Sequence, residues 1–104
     1  MKIQLNTDKN IHGTEKLEAL VSEKINHTLK QFVNKITRIE VHLSDQNGHK
    51  IGADDIQCKI EARIEGLQPV MVVSKNSSKE KALGTALNKM KATLGTIIGK
   101  IKNS

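Results

Sequence analysis

The chain has 104 residues, 37% of them hydrophobic, with a formal net charge of +6 and a sequence pI near 9.6. That length supports one domain, residues 1–104, with a modest core; no run nears the roughly 18 apolar residues of a membrane span, and no secretory leader opens the sequence. A single cysteine, Cys58, leaves no internal disulfide and fits a reducing, cytoplasmic location, while the basic balance favours a polyanionic partner such as nucleic acid or an anionic membrane surface.

Ile3 and Leu5 alternate with Lys2, Gln4 and Asn6, which predicts a short first strand with one buried face. Asp8 to Gly13 is a turn-rich connection. Thr14 is then placed as the N-cap of a helix whose apolar stripe runs Leu17, Leu20, Val21, Ile25, Leu29 and Phe32 over about five turns. Lys16, Lys24, His27 and Gln31 lie along one flank of that stripe, and Glu15, Glu18 and Ser22 along the other. Ile39, Val41 and Leu43 predict a second strand. Residues 45–55, with glycines, aspartates and no apolar period, read as a loop. Ile56, Cys58, Ile60, Ala62 and Ile64 give the cleanest alternation, ended by Gly66. Val70 to Val73 predicts a fourth strand, and Pro69 before it suits a sheet edge, where its missing N–H is harmless.

The last element, Ser77 to Lys102, concentrates the charge: it holds six lysines (Lys79, Lys81, Lys89, Lys91, Lys100, Lys102) and one acid, Glu80. Leu83, Ala86, Leu87, Met90, Leu94, Ile97, Ile98 and Ile101 recur at helical steps and form one apolar stripe. Ser77 with Glu80 three residues on predicts a capping box. The order β-α-β-β-β-α predicts an α+β two-layer sandwich: a four-stranded sheet, strands one and four at its edges, with two parallel helices on one face. Cys58 shares its face with Ile56, Ile60 and Ile64 and is expected buried and unreactive.

Catalysis finds no support in this pattern. His12, His27, His42 and His49 have no metal-ligand spacing, and one cysteine does not complete a zinc site with them. Gly84, Gly95 and Gly99 lie within a helix and not between a strand and a helix, so they form no phosphate loop. Phe32 is the only aromatic residue and belongs to a core stripe, so the sheet carries no stacking platform for unpaired bases. Lysines without aromatics suit phosphate contacts to structured RNA.

Two patterns carry a resemblance. One is Thr14-Glu15-x-Leu17-x-x-x-Val21-x-x-Lys24-Ile25 in the first helix; the other is Ala82-Leu83-x-x-Ala86-Leu87-x-Lys89-Met90-x-x-x-Leu94 in the second. With the element order they resemble the ribosome hibernation-promoting factor family, also called ribosome-associated translation inhibitors or sigma modulation proteins. Ser78-Lys79-Glu80 and the pair Gly84 and Asn88 depart from the family pattern, so the chain resembles a divergent short form. The resemblance implies a stress-response protein that docks on the small ribosomal subunit, in the channel used by mRNA and tRNA, and silences idle ribosomes. It implies rRNA as partner, with no enzyme activity, cofactor, metal, membrane or small-molecule substrate. Lys24 and Lys89 are the matched basic positions. The expected RNA contacts are Lys24, His27, Lys81, Lys89, Lys91 and Lys100, with Lys24 and Lys89 facing each other across a groove between the helices and Lys100 extending it. Two other readings stay open: a double-stranded-RNA-binding-like module, and a protein-interaction or oligomerisation domain using the polar sheet face with Arg38, Glu40, Lys59, Glu61 and Arg63.

Overall fold

The computed structural model describes residues 1–46 and 55–102, the last three of these by backbone alone. Its elements are β1 (Lys2–Thr7), α1 (Glu15–Thr28), a 3-10 turn (Lys30–Phe32), β2 (Ile36–Asp45), β3 (Ile56–Ile64), β4 (Val70–Asn76) and α2 (Lys79–Lys102). The strands lie in the order β1-β2-β3-β4. β1 runs parallel to β2, from Lys2 opposite Arg38 to Thr7 opposite Leu43, because α1 crosses over between them. β2, β3 and β4 form an antiparallel meander.

Alternation along the strands sends Ile39, Val41, Leu43, Cys58, Ile60, Ala62 and Ile64 into one core, where each is at most 6% exposed. Leu17, Val21 and Ile25 of α1 and Leu83, Ala86, Leu87, Met90, Leu94 and Ile98 of α2 close the same core from above. Both helices therefore cover one face of the sheet. Burial of each large aliphatic side chain contributes about 1.5–3 kcal/mol, so this shared core sets the layer arrangement. The other sheet face carries Arg38, Glu40, His42, Lys59, Glu61 and Arg63. With α2 spanning 24 residues, the molecule is elongated, 49 × 25 × 21 Å.

Several boundaries differ from the sequence reading. The first helix ends at Thr28. Leu29, at φ −104° and ψ 19°, still donates its N–H to Ile25, and the chain then tightens so that the Phe32 N–H reaches the Leu29 carbonyl at 2.8 Å. That tighter turn rotates Phe32 onto the core without another α-helical turn. The fourth strand runs three residues past Val73, since Ser74, Lys75 and Asn76 still pair with Cys58, Gln57 and Ile56 of β3; Ser74 points inward and donates its hydroxyl to the Ala82 carbonyl. At the start of α2 the cap is Ser78, not Ser77: the Ser78 Oγ accepts from the Lys81 N–H at 3.2 Å, and the Ser77 N–H is taken by the Asn76 side chain. The Ser77–Glu80 capping box does not form. Ile11, in the first connection, joins the core at 6% exposure. Met71 at 53% and Val73 at 40% exposure make the outer sheet face less polar than expected along β4. His49, Asp54 and most of the expected loop lie outside the described residues.

Candidate nucleic-acid interface

Thr14 caps α1 through its Oγ1, which accepts from the Leu17 N–H at 3.1 Å, and the four-residue spacing of Leu17, Val21 and Ile25 then fixes the rotation of the helix over the sheet. The acidic flank, Glu18 with Ser22, lies over Ile3 and Leu5 of β1. The basic flank turns toward α2. Lys16 and Leu20 share a cavity of about 430 Å³ with Lys79 and Glu80 of the first turn of α2. One to two turns on, Lys24, His27 and Thr28 share a second cavity of about 380 Å³ with Gly84, Leu87 and Asn88. The helices thus run parallel, and the groove between them is real.

The α2 wall of the groove differs from expectation. Lys89 lies on the far flank of α2 and donates its Nζ to the backbone carbonyl of Val73 in the edge strand β4, at 2.8 Å. It does not face Lys24. Periodicity assigns residues to flanks, but the handedness of the turn from β4 into α2, clamped by the Ser74–Ala82 hydrogen bond, decides which flank meets which neighbour. The α2 lysine that lines the groove is Lys79; Lys91, exposed, lies one turn beyond Leu87 on the same flank of the helix. Lys81 is exposed and half a turn out of phase with the buried Met90, so it projects away from the sheet. Lys100 belongs to the last turn of α2, where only the backbone is described. Of the six expected contacts, Lys24 and His27 line the groove, Lys91 lies one turn past Leu87 on that flank of α2, Lys81 lies on the outer surface of α2, and Lys89 lies at the β4 edge.

The sequence reading did not place Glu23, Lys79 or Asn88 at the groove. Glu23 lines both cavities, and Asn88 lines the second. The helical wheel carried the signal for Glu23, which falls between Lys16 and His27 on the basic flank. Among the described residues, Glu23, Lys24, His27 and Asn88 make no side-chain hydrogen bond or ion pair. The outer sheet face behaves oppositely. Arg38 Nε pairs with Glu40 at 2.8 Å and its Nη2 with Gln4; His42 lies 3.6 Å from Glu40, and Arg63 pairs with Glu61 at 3.3 Å. Lys59 and Lys75 remain there, beside Met71 and Val73. Among the described residues no group of three His, Cys, Asp or Glu could hold a metal ion, and no helix is long and apolar enough to cross a membrane.

The family model described as sigma 54 modulation protein / S30EA ribosomal protein matches residues 6–102. The chain belongs to this family, that of the ribosome hibernation-promoting factors. Its fold is similar to the N-terminal domain of Protein Y from Thermus thermophilus, at 17% identity and TM-score 0.74, over 93% of this chain and 99% of that one. It is similar also to a ribosomal subunit interface protein from Coxiella burnetii, at 14% identity and TM-score 0.76, over 95% and 99% of the two chains. Among curated proteins no sequence matches. Family membership sets aside the double-stranded-RNA-binding-like reading, and β1, paired along six residues with β2, is integral to the sheet.

Proposed function

We propose that this protein is a ribosome-associated translation inhibitor that docks on the small ribosomal subunit through rRNA phosphates and stabilises idle ribosomes. The observation that carries the reading is the split of charge between the two layers. The helix layer presents Lys16, Lys24, Lys81 and Lys91 without ion-pair partners among the described residues, whereas the sheet layer pairs both its arginines, Arg38 and Arg63, with Glu40 and Glu61 and keeps only lysines such as Lys59 and Lys75 unpaired. Unpaired lysines lose little when they meet a phosphate, because no internal partner has to be given up. The helix layer is therefore the rRNA-facing side, with Lys24 and His27 at the groove and Lys81, Lys91 and Lys100 along α2. An elongated body lying along the mRNA and tRNA channel blocks it by occupancy, with no chemical step.

Sedimentation with purified small subunits tests the reading. The protein co-sediments at low salt, and the logarithm of affinity falls with the logarithm of salt concentration by roughly 0.7–0.9 per phosphate contact. Failure to co-sediment at low salt contradicts it.

A further inference from the structure

Backbone, apolar and charged groups converge on the free edge of β4. Leu43 turns its carbonyl to the Asp8 N–H, on the β1 side of β2. Successive residues of a strand in an antiparallel ladder turn their backbone groups to opposite sides. Carried through the registers of β2, β3 and β4, this alternation turns the backbone groups of Met71, Val73 and Lys75 away from β3. Lys89 Nζ meets the Val73 carbonyl at that rim, at 2.8 Å; among the described residues no other hydrogen bond is made there. Met71 and Val73 share the outer sheet face, and with Met1 they are the exposed large hydrophobic side chains among the described residues. Three lysines surround the pair: Lys59 opposite Val73, Lys75 two residues on, and Lys89 on the Val73 carbonyl. None of the three has an ion-pair partner among the described residues, whereas Glu61, opposite Met71, is held by Arg63.

That combination selects its occupant. Open backbone groups and two apolar side chains suit an extended peptide, which matches both. RNA suits the lysines but leaves the strand edge and the apolar pair unmatched. Unpaired lysines call for acidic residues between and beyond the apolar ones. A second copy of β4 fits poorly, because pairing about Val73 brings the Lys89 side chains of both copies together. The opposite edge lacks the apolar contact, since β1 presents Gln4 and Asn6 on that face. We propose that an extended acidic-apolar segment of a partner protein adds to the sheet along β4. Its apolar residues pack on Met71 and Val73, its backbone pairs with that of Met71, Val73 and Lys75, and its carboxylates meet Lys75 and Lys89. Without the partner, Lys89 covers the Val73 carbonyl and turns other strands away. The site lies off the groove between the helices and does not depend on RNA docking.

The test titrates the full chain at low salt with three heptapeptides, EEVEVEE, EEEVVEE and KKVKVKK, followed by amide chemical shifts. In the first, both valines lie on one face of a strand; in the second, of the same composition, they lie on opposite faces. The wild type binds EEVEVEE about fivefold more tightly than EEEVVEE, the order of a few net hydrogen-bond and apolar contacts, and about tenfold more tightly than KKVKVKK. Shifts centre on Met71, Val73 and Lys75. Val73→Pro removes an outward N–H without touching the ladder to β3 and lowers EEVEVEE to the level of EEEVVEE. Lys75→Glu with Lys89→Glu reverses the order of EEVEVEE and KKVKVKK, and decides the matter alone if the proline variant does not fold. Equal wild-type affinity for EEVEVEE and EEEVVEE overturns the proposal, because it leaves only the attraction of a basic protein for acid. So does displacement of EEVEVEE by oligouridine with shifts at the same three amides, which assigns the edge to RNA. Concentration-dependent shifts there without peptide assign it to a second copy and overturn the proposal as well. Small-subunit sedimentation is unaffected by any of these results.

Discussion

Gly95 sits in the interior of α2, exposed, with open space where a side chain would be. Glycine there is about 1 kcal/mol less favourable than alanine, from backbone entropy alone. Gly95→Ala should raise the free energy of unfolding by about 0.5–1 kcal/mol, as read by urea denaturation. Gly84→Ala should gain a similar amount; unchanged or lower stability of Gly95→Ala would show an unseen contact. Cys58 is the other informative residue. It is 0% exposed, and burial pushes its thiol from 9.0 up to about 12, because the thiolate is poorly solvated inside the core. Below pH 9 both folded and unfolded chains keep the proton. Between pH 9 and 12 the unfolded chain releases it and the folded chain does not, so stability falls as pH rises, by about 1.4 kcal/mol per unit. The unfolding free energy should decline more steeply over that window in the wild type than in Cys58→Ala. Parallel declines would contradict the assignment.

At the scale of elements, periodicity made the core legible. The stripes of α1 and α2 and the alternation of β3 name mostly buried residues, with Leu20, Ile56 and Ile97 half-buried at their margins, because an amphipathic element has only one way to hide its apolar side. Cap and contact geometry was less legible. Ser77 and Ser78 are adjacent, and the S-x-x-E pattern points to Ser77; the choice falls to Ser78 because Asn76 bonds the Ser77 N–H. Ser78→Ala should therefore cost about 1 kcal/mol in thermal or urea unfolding, while Ser77→Ala stays near neutral; the reverse order would restore the capping box. The position of Lys89 shows the same limit. Its flank was readable from spacing, but its contact with Val73 depends on how the chain turns from β4 into α2. Covering an edge-strand carbonyl with a lysine also guards β4 against unwanted strand pairing, a role invisible without the sheet order.

At the scale of the whole molecule, the fold sorts charge by layer. The sequence showed where the lysines cluster along the chain, and α2 holds Lys81 and Lys91 exposed on the helix layer. What it did not show was that Glu23 and Asn88 line the groove while Lys89 leaves it, since these depend on two helices meeting. We propose that RNA is held by the helix layer. The measurement that tests it most directly is small-subunit affinity against salt for Lys24→Glu with Lys91→Glu, beside Lys59→Glu with Arg63→Glu on the sheet. The account predicts that the helix pair loses binding and that its salt slope drops by roughly 0.7–0.9 for each contact removed, while the sheet pair stays near wild type. Loss of binding in the sheet pair with retention in the helix pair would contradict it and make the sheet the docking surface.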